Sequence, residues 1–363
     1  MQKQDGVFII AEIGVNHNGD LDKALQLIDA AVDAGADAVK FQSYRTESLV
    51  SQSTKMAKYQ QTNVQADISQ FALLKQYELT RAQHILLKRH CLQRGIAFLS
   101  TPFDHDSLAM LIESCQVEKI KVGSGDLTNY PLLFAIAKER VPVIISTGMA
   151  DLTDIQHALQ ALALGFTQPN EQPTMDASRL AYYSDEGQAA LASFVTVLQC
   201  TTAYPAPPQG INLKAMQTIR HAFHLPVGFS DHSEGIHIAI AAAALGASVI
   251  EKHITLDRNL PGPDHQASIE PDTFTQMVTG IRDIELALGD GLKRPSVDAL
   301  ENAKVATRVI VAAKKINAGE TFSEKNLMVK RAGLGLSSQH YWALLGNKAT
   351  KNYVLDEVIT HES

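Results

Sequence analysis

A chain of 363 residues is too long for one small core and fits a barrel of about 250 residues with a second piece appended. Hydrophobic residues make up 45% and charged residues 20%, and no run of about 18 apolar residues is available to span a membrane, so the composition is that of an ordinary globular protein. A formal charge of -7 speaks against nonspecific nucleic-acid binding, which draws on an excess of Lys and Arg, yet it leaves room for an anionic small molecule held by a local lysine cluster.

Residues 1–6 run straight into the first apolar stretch without the apolar region and small-residue cleavage site of a signal peptide, which points to the cytoplasm. Eight short β-like runs then recur along the chain, and most end on or next to a charged or hydroxyl-bearing residue. Glu12 follows Phe8-Ile9-Ile10-Ala11, Lys40 closes Ala36-Asp37-Ala38-Val39, Thr101 follows residues 96–100, and Lys121 ends Lys119-Ile120; Ser146, Thr201, Ser230 and His253 close the remaining runs. Helix-like stretches lie between them. This alternation predicts an α/β fold, a parallel (β/α)8 TIM barrel, whose C-terminal rim is where catalytic groups gather.

The segments around Gly35 and Gly246 share one plan, a helix that ends on Gly with a β-branched strand following at once. Cys91, Cys115 and Cys200 form neither a C-x-x-C pair nor a metal-finger pattern and read as reduced, mostly buried thiols. Two connections are long. Residues 43–95 begin with a polar stretch, 51–69, and residues 147–193 hold one helix, about 152–164, and then a polar insert, 168–187, read as surface ornament or an oligomer contact. A helix over 271–288 precedes the punctuation Gly289-Asp290-Gly291, which sets a barrel domain at 1–289, a linker at 290–302 and a small β-rich domain at 303–363. With strands expected near 308–313 and 327–330, that piece of about 60 residues has little core of its own and is expected to dock on a barrel, its own or a partner's.

Strand alternation puts Lys40 with Gln42, Lys119 with Lys121, and Glu251 with His253 on shared faces. With Lys40, Lys121 and His253 pointing inward, two ammonium groups and an imidazole converge on one cavity. The hydroxyls of Thr101, Ser124, Ser146 and Ser230 surround them, and the glycines of Lys121-Val122-Gly123-Ser124-Gly125-Asp126 let backbone N–H groups approach a ligand. Together these describe a pocket for a phosphate with further negative charge nearby. His232 and His253 end consecutive strands, so they either hold a divalent metal with open positions or are two ordinary polar rim histidines. His84, His90, His221 and His224 fall on helices or loops and read as solvated. Glu12, a carboxylate at the mouth of a barrel with lysines opposite, is either a charge-balancing partner or a general base. A Schiff-base aldolase with Lys40 or Lys121 as nucleophile is a rival enzyme class. A binding protein is a third reading, against which the base and the paired imidazoles weigh.

The ordered motifs Ala11-Glu12-Ile13-Gly14-Val15-Asn16-His17-Asn18-Gly19, Val39-Lys40-Phe41-Gln42, Lys121-Val122-Gly123-Ser124-Gly125-Asp126, Ser146-Thr147-Gly148-Met149, Gly228-Phe229-Ser230-Asp231-His232, Glu251-Lys252-His253 and Gly262-Pro263-Asp264-His265 resemble those of the sialic acid synthase family. The likeness runs the length of the chain. Asn317-Ala318-Gly319-Glu320 and Val329-Lys330-Arg331 resemble the antifreeze-like (SAF) domain of the same synthases. The resemblance implies condensation of phosphoenolpyruvate with an N-acylated mannose-type aldose and water, giving a nine-carbon 2-keto acid and phosphate. N-acetylmannosamine or 2,4-diacetamido-2,4,6-trideoxymannose is the implied aldose, with a pseudaminic acid synthase-type enzyme as the alternative. The resemblance places Lys40, Thr101, Lys121, Ser124, Ser146 and Ser230 on phosphoenolpyruvate, and Gln42, Thr202, Tyr204 and Asp264 on the sugar. It gives His232 and His253 a divalent metal, Mn2+ with Mg2+ or Co2+ as alternatives, that polarises the aldehyde and orients the attacking water, and it gives Glu12 that water's proton. Arg331 would reach the sugar's N-acyl group from the antifreeze-like domain of the other subunit in a domain-swapped homodimer. Thr202 stands where members using N-acetylmannosamine carry Asn, which brings Cys200-Thr201-Thr202-Ala203-Tyr204 closer to the legionaminic acid synthases, whose aldose bears a second acetamido group. Ala332 replaces a proline usual after the arginine, and the insert 168–187 is longer than the family's pattern.

Overall fold

The structure, a computed structural model, describes residues 6–55 and 69–360. Strands β1 (Phe8–Gly14), β2 (Ala38–Ser43), β3 (Ala97–Pro102), β4 (Ile120–Val122), β5 (Val143–Ser146), β6 (Val195–Cys200), β7 (Val227–Asp231) and β8 (Val249–His253) form one sheet in the order β3-β2-β1-β8-β7-β6-β5-β4. Every ladder in it is parallel, and β3 and β4, at its two ends, also lie side by side, so the sheet curls into a nearly closed barrel ringed by helices.

The period of two in each strand sorts the core into two shells. Ile9, Ala11 and Ile13 of β1, Val39 and Phe41 of β2, Phe98 of β3, Val143 and Ile145 of β5, and Val227 and Phe229 of β7 face outward into one large cluster with the helices. Ile10, Ala38, Leu99, Ile144, Leu198 and Val249 face inward and form a separate apolar plug across the barrel. The helix Leu21–Asp33 shows how the outer shell is made. Asp20 caps it by accepting the N–H groups of Asp22 and Lys23, and Ala24, Leu27, Ile28 and Ala31 recur at helical spacing as its buried stripe. Leu27 and Ile28, both fully buried, each contribute about 2–3 kcal/mol. The chain then turns into β2 through Gly35 at φ +81°, and into β8 through Gly246 at φ +87°, the left-handed conformation the sequence pattern anticipates at both places.

The insert 168–187, for which the sequence reading gives no elements, is helical in most of its length. It folds as two helices, Met175–Tyr183 and Asp185–Phe194, capped by Thr174 and Ser184, and Ala181 and Leu191 are buried against the helix Leu152–Thr167. So few buried apolar positions leave a faint periodicity in the sequence. Of the polar stretch 51–69, residues 56–68 lie outside the described residues.

The chain divides into two compact units, Met1–Gly289 and Asp290–Ser363. In the second, a helix (Val297–Ala306) buries none of its residues, and β9 (Val309–Ala312) pairs antiparallel with β10 (Leu327–Lys330). Ile310, Ile316, Phe322, Leu327, Tyr353 and Ile359 make its small core. Among the described residues no helix is long and apolar enough to cross a membrane.

Candidate active site

One step along each strand beyond the apolar plug, the inward-facing side chains turn polar. Glu12, Lys40, Thr101, Ser146, Cys200 and Glu251 sit two residues past Ile10, Ala38, Leu99, Ile144, Leu198 and Val249. With Lys121 and Ser230 they floor a cavity of about 190 Å³ at the C-terminal ends of the strands. Gln42, Ser124, Thr202, Tyr204, His232, His253 and Asp264 line the same cavity, so every barrel residue that the resemblance assigns to a ligand is brought to one place. Thr201, which closes the β6 run, is not among them and donates its hydroxyl to the Gly210 carbonyl. Arg331 lies just after β10 in the second unit and is exposed there.

The two ammonium groups are deeply buried, Lys40 at 4% and Lys121 at 2% exposure, where an unpaired charge is prohibitively costly. Carboxylates offset that cost. Lys40 Nζ lies 2.7 Å from Glu12 Oε2 and 3.8 Å from Glu251 Oε2, and Lys121 Nζ lies 3.6 Å from Glu251 Oε1. Of these contacts, that of Glu12 with Lys40 is the shortest. Burial pushes the Glu12 carboxyl up to about 7 against the pull of Lys40, with the neighbouring Glu251 adding to the rise. For Glu251 burial also pushes upward, but Lys121, Lys40 and the Ser230 hydroxyl outweigh it and hold it below the usual carboxylate range. The site thus holds two carboxyls of unequal acidity, one poised near neutrality and one firmly ionised. Burial raises Asp264 to about 6, opposed by His232 and Lys40.

His232 Nδ1 is 2.8 Å from the Thr201 carbonyl, which can only accept, so this nitrogen carries a proton and Nε2 is the atom left for a ligand. Its ring stands 4.2 Å from the Tyr204 ring and 5.5 Å from that of His253. Burial, with His232 and Lys40 nearby, keeps His253 neutral, and its Nδ1 is buried without a hydrogen-bond partner. Burial favours a neutral His232, but the Cys200 thiol and the Thr201 carbonyl outweigh it and raise the His232 pKa above 6.5, so an ion there would displace a proton from His232. Two imidazoles bound to one ion through metal–nitrogen bonds of about 2.1 Å would have ring centres about 5 Å apart, and the observed spacing fits a shared divalent cation. Among the described residues no cluster of three or more His, Cys, Asp or Glu is ready-made for a metal, which leaves any ion on this pair with most positions open.

The backbone that carries His232 is fixed from the outer face. Lys252 and Asp231, both with fully buried side chains, pair at 2.8 Å; Lys252 also donates to the Ser233 carbonyl, and Asp231 accepts from both the N–H and the hydroxyl of Ser233. On the other side of the mouth, Gly148 donates its N–H to Ser124 Oγ at 2.9 Å, and a Cβ there would lie 2.4 Å from Thr202 Oγ1. Only glycine lets Thr202, Ser124 and Cys200 crowd together at that point.

The sequence reading missed Glu251, Cys200, Phe103 and Met149 as lining residues, while Gly123 and Gly125, whose loop was expected to approach a ligand, line the cavity. Glu251 was legible in principle, since it shares a strand face with His253. His84 corrects the reading that it is solvated. On the helix Arg81–Arg94 it stands at the head of the stripe His84, Leu87, Cys91, is 1% exposed, and shares a hydrogen bond with Ser43 Oγ at 2.8 Å. His90 is half-buried against Asp29. The three thiols are free and buried, as expected.

Residues 27–293 match the NeuB family and residues 307–362 the SAF domain. The chain is 45% identical over 351 residues to N,N'-diacetyllegionaminic acid synthase of Campylobacter jejuni, which covers 97% of this chain and 98% of that protein. It is 33% identical over 346 residues to pseudaminic acid synthase of the same species, across 95% of this chain and 93% of the relative. Of solved structures, N-acetylneuraminic acid synthetase of Leptospira borgpetersenii matches at a TM-score of 0.66 and 34% identity, over 82% of this chain and 90% of that one. The family match takes in more than half of the chain, from the first helix to beyond the last barrel strand, and the chain therefore belongs to the NeuB family and carries an SAF domain at its C-terminal end.

Proposed function

We infer that this NeuB-family synthase condenses phosphoenolpyruvate with 2,4-diacetamido-2,4,6-trideoxymannose and water, giving a nine-carbon 2-keto acid and phosphate. The observation that carries the reading is the meeting of Lys40, Lys121, Glu12, His232 and His253 in one buried cavity. Two ammoniums with Thr101, Ser124, Ser146 and Ser230 around them suit an anion bearing both phosphate and carboxylate. The Ser146 hydroxyl is buried without a partner, which leaves it free to donate to such a ligand.

Glu12 supplies the base. With its carboxyl near neutrality, Oε2 takes a proton from the water that adds to C2 of phosphoenolpyruvate as the enol carbon bonds to the aldehyde carbon. Collapse of the resulting adduct breaks the C–O bond and expels phosphate between Lys40 and Lys121; the C2 hydroxyl proton leaves with phosphate, and the proton taken by Glu12 balances the one gained by the former aldehyde oxygen. A divalent cation held by His232 and His253, Mn2+ by the family resemblance, would supply Lewis-acid activation of the aldehyde. Gln42, Thr202, Tyr204 and Asp264, at the rim, are the groups placed to face the sugar. Lys40 is held charged by Glu12 and Glu251 although burial opposes it, which argues against Lys40 as a Schiff-base nucleophile.

The choice of aldose rests on the higher identity to the legionaminic acid synthase than to the pseudaminic acid synthase, together with Thr202 in the lining. Phosphate release measured with phosphoenolpyruvate and either the diacetamido sugar or N-acetylmannosamine tests it. We expect kcat/KM at least ten-fold higher with the diacetamido sugar. The opposite preference would reassign the aldose, and no release with either would remove the proposed reaction.

A further inference from the structure

Glu251 precedes His253 by two residues on β8, and its carboxylate lies at the floor of the cavity. Each oxygen faces a different ammonium, Oε1 at 3.6 Å from Lys121 Nζ and Oε2 at 3.8 Å from Lys40 Nζ. Both separations exceed the roughly 2.8 Å of a direct charge-assisted hydrogen bond, so neither ammonium is saturated by Glu251. Oε1 accepts the Ser230 hydroxyl at 2.9 Å, while Oε2 has no hydrogen-bond partner. Lys40, Lys121 and Ser230 are three of the groups that the reading above gives to phosphoenolpyruvate. One carboxylate, 6% exposed, is bonded to the third and spans the other two.

We propose that Glu251 is a positioning residue that serves as the cavity's own counter-anion, holding Lys40 and Lys121 together in the empty site and weakening their grip on phosphate so that the product leaves. The inference rests on the anion-site reading of the proposed function. Two buried ammoniums in one small cavity repel each other, and a carboxylate between them relieves that repulsion. The same carboxylate repels every anion that enters. A like charge about 4 Å away lowers affinity by at least about five-fold even with the screening of bulk water, and by more in a buried cavity. Glu12 does not fill this place, because its contact is with Lys40 at 2.7 Å and Lys121 is paired with Glu251.

Inorganic phosphate is the probe, titrated calorimetrically into the full chain as wild type, Glu251→Gln and Glu251→Asp. Gln keeps the shape and an acceptor for Ser230 and removes the charge; Asp keeps the charge and withdraws it by one methylene. Phosphate should bind Glu251→Gln at least five-fold tighter than wild type, with Glu251→Asp in between, while kcat falls and KM for phosphoenolpyruvate falls with it. A residue needed only for structure would weaken phosphate binding and turnover together, and that result overturns the proposal, as does unchanged phosphate affinity. Should the Gln variant not fold, the Asp variant decides alone by the same criterion. A wild-type chain that binds no phosphate would instead overturn the anion-site reading, and this inference with it.

Discussion

At the scale of single residues, the proposed chemistry turns on the unequal acidity of Glu12 and Glu251. A base must be ionised to work, and burial lifts Glu12 to about 7, so kcat/KM should decline as pH drops below about 7, approaching ten-fold per unit. Glu12→Gln should lose at least 100-fold in turnover while its affinity for phosphoenolpyruvate stays within about three-fold of wild type, because Lys40, Lys121 and the hydroxyls remain. A Gln variant that turns over at the normal rate, measured by phosphate release, would take Glu12 out of the mechanism. Sequence made Glu12 and the two lysines legible because each ends an apolar run, where a charge is conspicuous. Glu251 follows Val249 and Ile250 but is the first of three polar residues, with Lys252 and His253 after it in the same strand, and only the period of two separates its inward face from the outward Lys252–Asp231 pair. His84 reads as solvated for a related reason: Ile85, Leu86 and Leu87 follow it on successive sides of the helix, and the buried face shows only once the helix is docked.

At the scale of elements, the loops after β1 and β8 are laced together. Asn16 Nδ2 donates to the Ile254 carbonyl and to Ser268 Oγ, each at 2.8 Å; Ser268 Oγ donates to the Asp264 carbonyl at 2.7 Å, and Asn18 Nδ2 donates to the Pro261 carbonyl at 2.8 Å. This lacing positions Asp264 beside the cavity. His17, 1% exposed, helps shape the first loop, its Nδ1 accepting the Gly19 N–H at 2.9 Å, a bond that protonation of Nδ1 would destroy. Burial accordingly lowers its pKa from 6.5 to about 4. Between those values the unfolded chain binds the proton that the folded chain refuses, so the stability contributed by neutral His17 is present above pH 6.5 and is lost as pH falls toward 4. The loss should reach about 2–3 kcal/mol between pH 7 and 4.5 in denaturant unfolding, and His17→Gln should lack that component. Identical pH profiles for the two proteins would contradict the assignment. The lacing itself could not be read from sequence, because Asn16 and Asn18 lie more than 230 residues from the groups that accept from them, and two of those three acceptors are carbonyls. The barrel strands were readable because their alternation repeats eight times, whereas the insert helices bury too few apolar side chains to announce themselves.

At the scale of the whole molecule, the question is what the second unit does for the barrel. Its core is small, and Arg331 is exposed at the end of β10. The family resemblance implies that this arginine serves the sugar of a partner's barrel in a swapped dimer. A lost charge-assisted hydrogen bond is worth about 1.5–3 kcal/mol, so Arg331→Ala should raise KM for the aldose by roughly 10- to 100-fold and leave KM for phosphoenolpyruvate unchanged. Mixing distinguishes action on a partner from action within one chain. An Arg331→Ala chain keeps its Glu12, and a Glu12→Gln chain keeps its Arg331. Coexpressed as a hybrid, the two defective chains would assemble one complete site from the barrel of the first and the arginine of the second. Activity at low aldose concentration should then return toward half that of the wild-type dimer. If Arg331 acts on its own barrel, every chain in the hybrid stays defective, and the absence of recovery in a hybrid shown to be dimeric by light scattering would rule out exchange of the second unit.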